Sequence, residues 1–133
     1  MEKDLFYIKI VGIIFDTKTK KILIGKNQGD EKYSFLEGNL IQNKELDLVL
    51  KETVTGKTGY SVHNLGSIYS ENMLQDLKKV KLHFLCEVKS GEEKPGENVE
   101  ELLWVKPSEV EEKLQVRLPT RLKEYILNLE ETF

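Results

Sequence analysis

Between Gly38 and Gly59 the chain has few conformations open to it. Gly38 begins a loop, and Leu46, Val49, Leu50 and Thr53 then follow at helical spacing. Residues spaced in this way mark one buried face of an amphipathic helix. Gly59 supplies the stop, because glycine just past the last turn adopts the left-handed conformation that ends a helix. Gly56 offers an earlier end, since a glycine inside a helix costs about 1 kcal/mol relative to alanine. Directly upstream, Tyr33-Ser34-Phe35-Leu36-Glu37 predicts a short aromatic strand feeding the loop. Strand, loop and helix form one unit around which the other segments must pack.

Those segments read mainly as strands. Leu5 to Phe15 predicts a strand covered on both faces, with Ile8, Ile10 and Ile14 on one side and Tyr7, Val11, Ile13 and Phe15 on the other. Gly12 within it marks a bulge or a close approach. A polar turn at 16–20 leads to a second strand, Lys21 to Lys26. Beyond the helix, Tyr60 to Tyr69 is extended and Ser70 to Leu77 reads as a polar turn or hairpin loop. Lys79 to Lys89 is the clearest strand: Val80, Leu82, Phe84, Cys86 and Val88 alternate with Lys81, His83, Leu85 and Glu87. His83 lies on the mixed face as a satisfied strand residue, His63 has no partner nearby in sequence, and Cys86 is a structural thiol on the apolar side. Ser90 to Asn98 is a loop. Val99 to Pro107 is a strand ending in Trp104, Ser108 is expected to cap a short helix from Glu109 to Leu114, and Thr120 a last helix with the stripe Leu122, Tyr125, Ile126, Leu129.

Length and charge bound the functions available. The 133 residues suit one domain, 1–133, large enough for a real core. With 20 basic and 23 acidic residues the net charge is −3, which gives no support for broad binding to nucleic acid or acidic membrane. A single cysteine excludes an intrachain disulfide and fits a reducing compartment. The N-terminal apolar run is interrupted by Lys9 and too short to span a bilayer, so a cytoplasmic protein is the expectation. Gly56-Lys57-Thr58 matches the tail of a phosphate-binding loop, but Lys51 stands where that motif needs glycine and the helix precedes it.

The Gly38 to Tyr60 stretch resembles the Nudix box of the MutT-like hydrolases, G-x5-E-x7-R-E-U-x-E-E-x-G-U, with U a bulky apolar residue. Gly38 and Gly59 take the two glycine positions, and Val54 and Tyr60 the two apolar ones. The charged positions are all changed. Lys44 stands for the first glutamate with Glu45 one step late, Glu52 stands for the arginine, and Thr53, Gly56 and Lys57 stand for the three glutamates. Sliding the helix by one residue brings Glu52 onto one glutamate position but leaves Thr55 and Gly56 on the others and displaces Gly59. In the family those glutamates hold magnesium or manganese against a diphosphate. Magnesium takes oxygen ligands in near-octahedral geometry, and a lysine in their place repels it. Leu36-Glu37 also departs from the Pro-Gly that commonly precedes the box glycine.

The resemblance covers nearly the whole chain and implies an α/β fold, the Nudix α/β/α sandwich around a mixed β-sheet. It implies a nucleotide or nucleoside-diphosphate-linked ligand, and the lost glutamates imply little or no metal-dependent hydrolysis and no required cofactor. Lys57, Lys26, Tyr33 and Gly38 are the candidate ligand contacts. The alternative is an active pyrophosphohydrolase with relocated carboxylates: Glu37 and Glu52 as catalytic groups, with Glu45, Glu52, Glu97, Glu100 and Glu101 as candidate ligands to magnesium or manganese. The acidic residues at 97–101 equally read as a solvated loop. A third reading is a protein-interaction domain, including a homodimer through sheet or loop. An exposed apolar patch would favour that third reading, and a polar-lined cleft either of the first two.

Overall fold

The computed structural model describes residues 7–41, 43–73 and 76–132. In chain order the elements are β1 (Tyr7–Asp16), β2 (Lys21–Asn27), β3 (Leu36–Asn39), α1 (Leu46–Thr58), β4 (Tyr60–Met73), β5 (Asp76–Gly91), β6 (Val99–Val105), α2 (Val110–Leu114) and α3 (Thr120–Thr132). The six strands form one sheet in the order β4-β5-β1-β2-β6, with β3 also paired to β1. The β1–β5 pair is parallel and the other pairs are antiparallel, so the sheet is mixed.

Alternation along β1 decides the layers. Ile10 and Ile14 pack with Leu23 and Leu36 beneath Val49, Leu50 and Val54 of α1. Val11, Ile13 and Phe15 pack on the opposite face with Ile22 and Ile24 beneath Val110, Leu114, Leu122, Ile126 and Leu129. Every strand residue from Ile10 to Phe15 is buried, as the double-faced pattern predicts. Gly12 is a close approach and not a bulge: a Cβ there would lie 3.3 Å from Val54 Cγ2.

One feature of the sheet positions the site. β5 runs along one edge of β1 from Tyr7 to Phe15. The other edge is shared: β3 pairs with Lys9 to Gly12, and β2 with Ile14 to Asp16. The strands on this side of β1 therefore separate, and α1 packs against β3, β1 and β4.

Several predicted boundaries move. Residues 33–35 are not strand; only Ser34 bridges to Gly25, and the strand itself is Leu36–Asn39 with Gly38 inside it. The expected loop at Ser70 is instead strand through Met73, paired on to Asp76, with residues 74–75 outside the described set. The start of the first predicted strand at Leu5 also lies outside it. Ser108 is not a cap, because Pro107 fixes a 3-10 turn at Pro107–Glu109 in which the Glu109 carboxylate accepts the Lys106 N–H at 3.0 Å. Thr120 is already helical, and Lys123 N–H donates to the Pro119 carbonyl at 2.9 Å. Tyr125 is exposed, so the buried stripe of α3 is Leu122, Ile126 and Leu129. His83 is on the mixed face as expected but is buried there with its Nδ1 unpartnered among the described residues, so it is not the fully satisfied strand residue the sequence predicts.

Candidate functional site

Helix α1 starts at Glu45, whose side chain makes no cap, and runs through Gly56 to Thr58. Gly59 ends it at φ 82°, donating its N–H to the Thr55 carbonyl at 2.9 Å. Two carbonyls of the last turn are taken by the loop after β5: Gly96 N–H donates to Lys57 O at 3.0 Å and Lys94 N–H to Thr58 O at 2.8 Å. Within this loop, Glu93 accepts the Trp104 indole N–H at 2.8 Å and the Tyr60 hydroxyl at 3.3 Å. The loop is thereby fixed against α1 and carries Glu97 to the gap beside β3.

The gap is an open cleft of about 550 Å³. Lys9, Glu37, Gly38 and Asn39 form its sheet side, Glu52, Thr53, Gly56 and Lys57 its helix side, and Asn27 and Glu97 its rim. The helix residues are those aligned with the charged end of the Nudix box. Gly38 lies under Thr53, where a Cβ would come within 2.5 Å of Thr53 Oγ1. The glycine therefore lets strand and helix meet at this wall. Gly56 faces open space, with nothing within 4 Å of where its Cβ would be. Gly56→Ala is accordingly expected to stabilise the domain by about 0.5–1 kcal/mol, read as a raised urea midpoint with unchanged slope.

Of the predicted site residues, the structure brings Glu37, Gly38, Glu52, Lys57 and Glu97 to one cleft. Glu52 pairs with Lys44 at 3.3 Å, and Glu37 with Lys81 at 3.6 Å and Lys9 at 3.9 Å. Pairs as exposed as Lys44–Glu52 contribute about 0–1 kcal/mol, so they bias these carboxylates and do not lock them. Lys26, Tyr33 and Glu101 converge elsewhere: Lys26 Nζ is 3.8 Å from Glu101 and 4.8 Å from the Tyr33 ring centre, and the Tyr33 hydroxyl donates to Glu101. That hydrogen bond, burial and the charges of Glu101 and Glu100 hold the Tyr33 phenol above its usual pKa. Lys26, Glu101, Glu45 and Glu100 do not line the cleft.

Sequence reading missed Lys9, Asn27 and a second cavity of about 340 Å³ that shares Glu37 with the cleft. Val11, Tyr33, Phe35, His83 and Leu118 line it, with Lys81 and Arg117 among its charged groups. The one signal available for Lys9 was a charge interrupting an apolar strand. His83 is 4 % exposed and its Nδ1 has no hydrogen-bond partner among the described residues. Burial pushes its pKa below 6.5, opposed by a hydrogen bond to the Tyr69 backbone. Between the folded and unfolded pKa values the unfolded chain then binds the extra proton. Stability from this residue is full above pH 6.5 and falls as pH drops through the lowered value. Melting temperature is expected to fall below pH 6.5 more steeply in the native protein than in His83→Phe, which lacks the titrating group.

The cleft lacks, among the described residues, the donor set of a magnesium or manganese site. Magnesium or manganese on this helix would need oxygen donors at successive turns, and the helix offers the cleft one carboxylate, Glu52, with a hydroxyl, no side chain and an ammonium at Thr53, Gly56 and Lys57. Among the described residues no three histidine, cysteine, aspartate or glutamate side chains converge as a metal-binding group. The residues present do not fit the ion.

Comparison with solved structures gives the fold directly. A Nudix hydrolase from Nitrosomonas europaea superposes with TM-score 0.81 at 14% identity, over 98% of this chain and 76% of that one. This is the Nudix fold. A MutT protein from Methanosarcina mazei Go1 superposes at TM-score 0.70 and 12% identity, over 98% of this chain and 97% of that one. An ADP-ribose pyrophosphatase from Streptococcus suis does so at 0.66 and 16%, over 95% and 91%. No family model and no curated protein matches the sequence. The expected α/β/α sandwich around a mixed sheet is thus observed.

Proposed function

We propose that this chain is a Nudix-fold module that binds a nucleotide or nucleoside-diphosphate-linked ligand with little or no metal-dependent hydrolysis. The observation that carries the reading is the composition of one wall: Thr53, Gly56 and Lys57 face the cleft where the Nudix box has metal-binding glutamates. The cleft itself is retained and polar-lined, which favours a small ligand over a purely structural role. Lys57 and Gly38 are positioned to meet a diphosphate there. Tyr33 lines the adjoining cavity, and Lys26 acts on the ligand only through Tyr33 and Glu101. The ligand class follows the fold neighbours, among them an ADP-ribose pyrophosphatase and a UDP-X diphosphatase by their names. Among the described residues no helix is long and apolar enough to cross a membrane, and we assign the chain to the cytoplasm.

Calorimetric titration with ADP-ribose and UDP-glucose in chelator tests the reading. Saturable binding without metal is expected. Absence of binding until magnesium is added would overturn it. A second reading, hydrolysis by relocated carboxylates, draws on one observation: Glu37, Glu52 and Glu97 line the same cleft.

A further inference from the structure

We propose that His83 sets the specificity of the second cavity, where its Nδ1 hydrogen-bonds the polar edge of a neutral planar nitrogen heterocycle bound without phosphate or metal. The kind of ring rests on the nucleotide reading above. Placing its recognition on His83, away from the diphosphate cleft, goes beyond that reading.

Strand register builds the floor of this cavity. Glu37 of β3 pairs with Val11 of β1, Val11 with His83 of β5, and His83 with Tyr69 of β4. Residues paired in this way share one face of a sheet, so the four make a row across it. The Tyr69 ring stands edge-on to the imidazole, with centroids 5.5 Å apart and planes at 64°. The connection between α2 and α3 adds Arg117, Leu118 and Pro119 to the lining, and the segment before β3 adds Tyr33 and Phe35.

His83 has one contact unmade. It is 4 % exposed and lines the cavity, and its Nδ1 has no hydrogen-bond partner among the described residues. Buried polar atoms are nearly always paired, and leaving one unpaired costs free energy that a ligand contact recovers. Burial holds the imidazole pKa down, so near pH 7 the ring is neutral and carries one N–H and one lone pair. A heterocycle that offers a donor beside an acceptor along its edge satisfies Nδ1 in either tautomer.

The charges select a neutral occupant. Glu37 and Glu71 line the cavity with Lys81 and Arg117, so neither sign is in excess. Lys81 stands opposite Glu71 in the β4–β5 pair and lies 3.6 Å from Glu37. Val11, Phe35, Leu118 and Leu122 supply apolar surface. The Tyr33 ring is held by its hydroxyl on Glu101 and by Lys26 Nζ at 4.8 Å from its centre. An ordered aromatic ring beside apolar side chains suits a flat ligand, and about 340 Å³ falls within the size range of small-molecule sites.

Adenosine, guanosine, cytidine and uridine are the probes, titrated in EDTA. They carry no phosphate, so the diphosphate cleft is not engaged. The chain has two histidines, His63 and His83, and isotope-labelled histidine lets nitrogen NMR follow each imidazole. Saturable binding of at least one nucleoside is expected, with the His83 Nδ1 resonance shifted and those of the exposed His63 unmoved. His83→Phe, checked for folding by circular dichroism, is expected to weaken that binding about tenfold. His83→Asn, which keeps a polar atom near the Nδ1 position, is expected to lose about threefold or less. His63→Phe lines neither cavity and should leave binding unaltered. The resonance shift is read in the native protein, so it decides the matter even where His83→Phe does not fold. No binding of any of the four nucleosides would overturn the proposal. So would binding that leaves Nδ1 unmoved, or equal losses in His83→Phe and His63→Phe. ADP-ribose bound in chelator with no nucleoside bound would overturn this proposal alone. Metal-dependent turnover by a chain that still binds a nucleoside at His83 would overturn only the reading beneath it.

Discussion

Gly59→Ala is expected to destabilise the domain by about 3 kcal/mol, the sum of a left-handed backbone penalty of about 1–2 kcal/mol and an overpacking cost of about 1–3 kcal/mol. The residue sits at φ 82°, and an added Cβ would run into the Glu92 carbonyl oxygen, far inside van der Waals contact. Two other glycines separate the contributions. Gly66 has φ 117° with nothing near its Cβ position, so Gly66→Ala carries the backbone penalty alone. Gly96 carries the steric cost alone: its Cβ would overlap the Gly56 carbonyl oxygen, at an ordinary φ. Urea midpoints should place Gly59→Ala below both. Gly96→Ala should also break the two hydrogen bonds that tie the loop to Lys57 and Thr58, moving Glu97 off the cleft. Hydrogen exchange at Lys94 and Gly96 would show that loss.

Leu50→Ala is the second large effect, at about 2–5 kcal/mol from lost burial and the cavity left behind. Leu50 is 1% exposed and packs with Val49 and Val54 of α1 over Ile10, Ile14 and Leu36. A 13-residue helix with this composition is marginal on its own. Its hold on the sheet is what keeps Thr53, Gly56 and Lys57 facing the cleft. Leu48→Ala on the same helix, at 46% exposure, should change stability by no more than about 0.5 kcal/mol. Denaturant melts of the pair measure the contrast.

How much of this was readable in the chain depends on the range of the interaction. The Gly38 to Gly59 frame was visible because glycine marks positions where a backbone must bend or be approached. The structure uses Gly59 as a left-handed stop and Gly38 as the bed for Thr53. The double-faced pattern of β1 was visible because residues on each face recur every second position. The convergence of Lys9, Lys81 and Glu37 was not. It arises from β5 on one edge of β1 and β3 on the other, and neither pairing leaves a local trace. The burial of His83 escaped for a similar reason: its strand alternates regularly, but only the packing of α2 and α3 decides how dry that face becomes. Tyr33 and Lys26 have the chemistry of ligand contacts, but Glu101, remote in sequence, engages both.

The measurement that bears most directly on the central claim is turnover of a panel containing ADP-ribose, dinucleoside polyphosphates and nucleoside triphosphates. It uses high protein concentration with magnesium or manganese, beside Glu52→Gln. No hydrolysis above the protein-free rate is expected in either sample, because Thr53, Gly56 and Lys57 leave Glu52 as the one carboxylate on the α1 wall of the cleft. Metal-dependent hydrolysis that disappears in Glu52→Gln would contradict it and would place a rebuilt catalytic centre in this cleft.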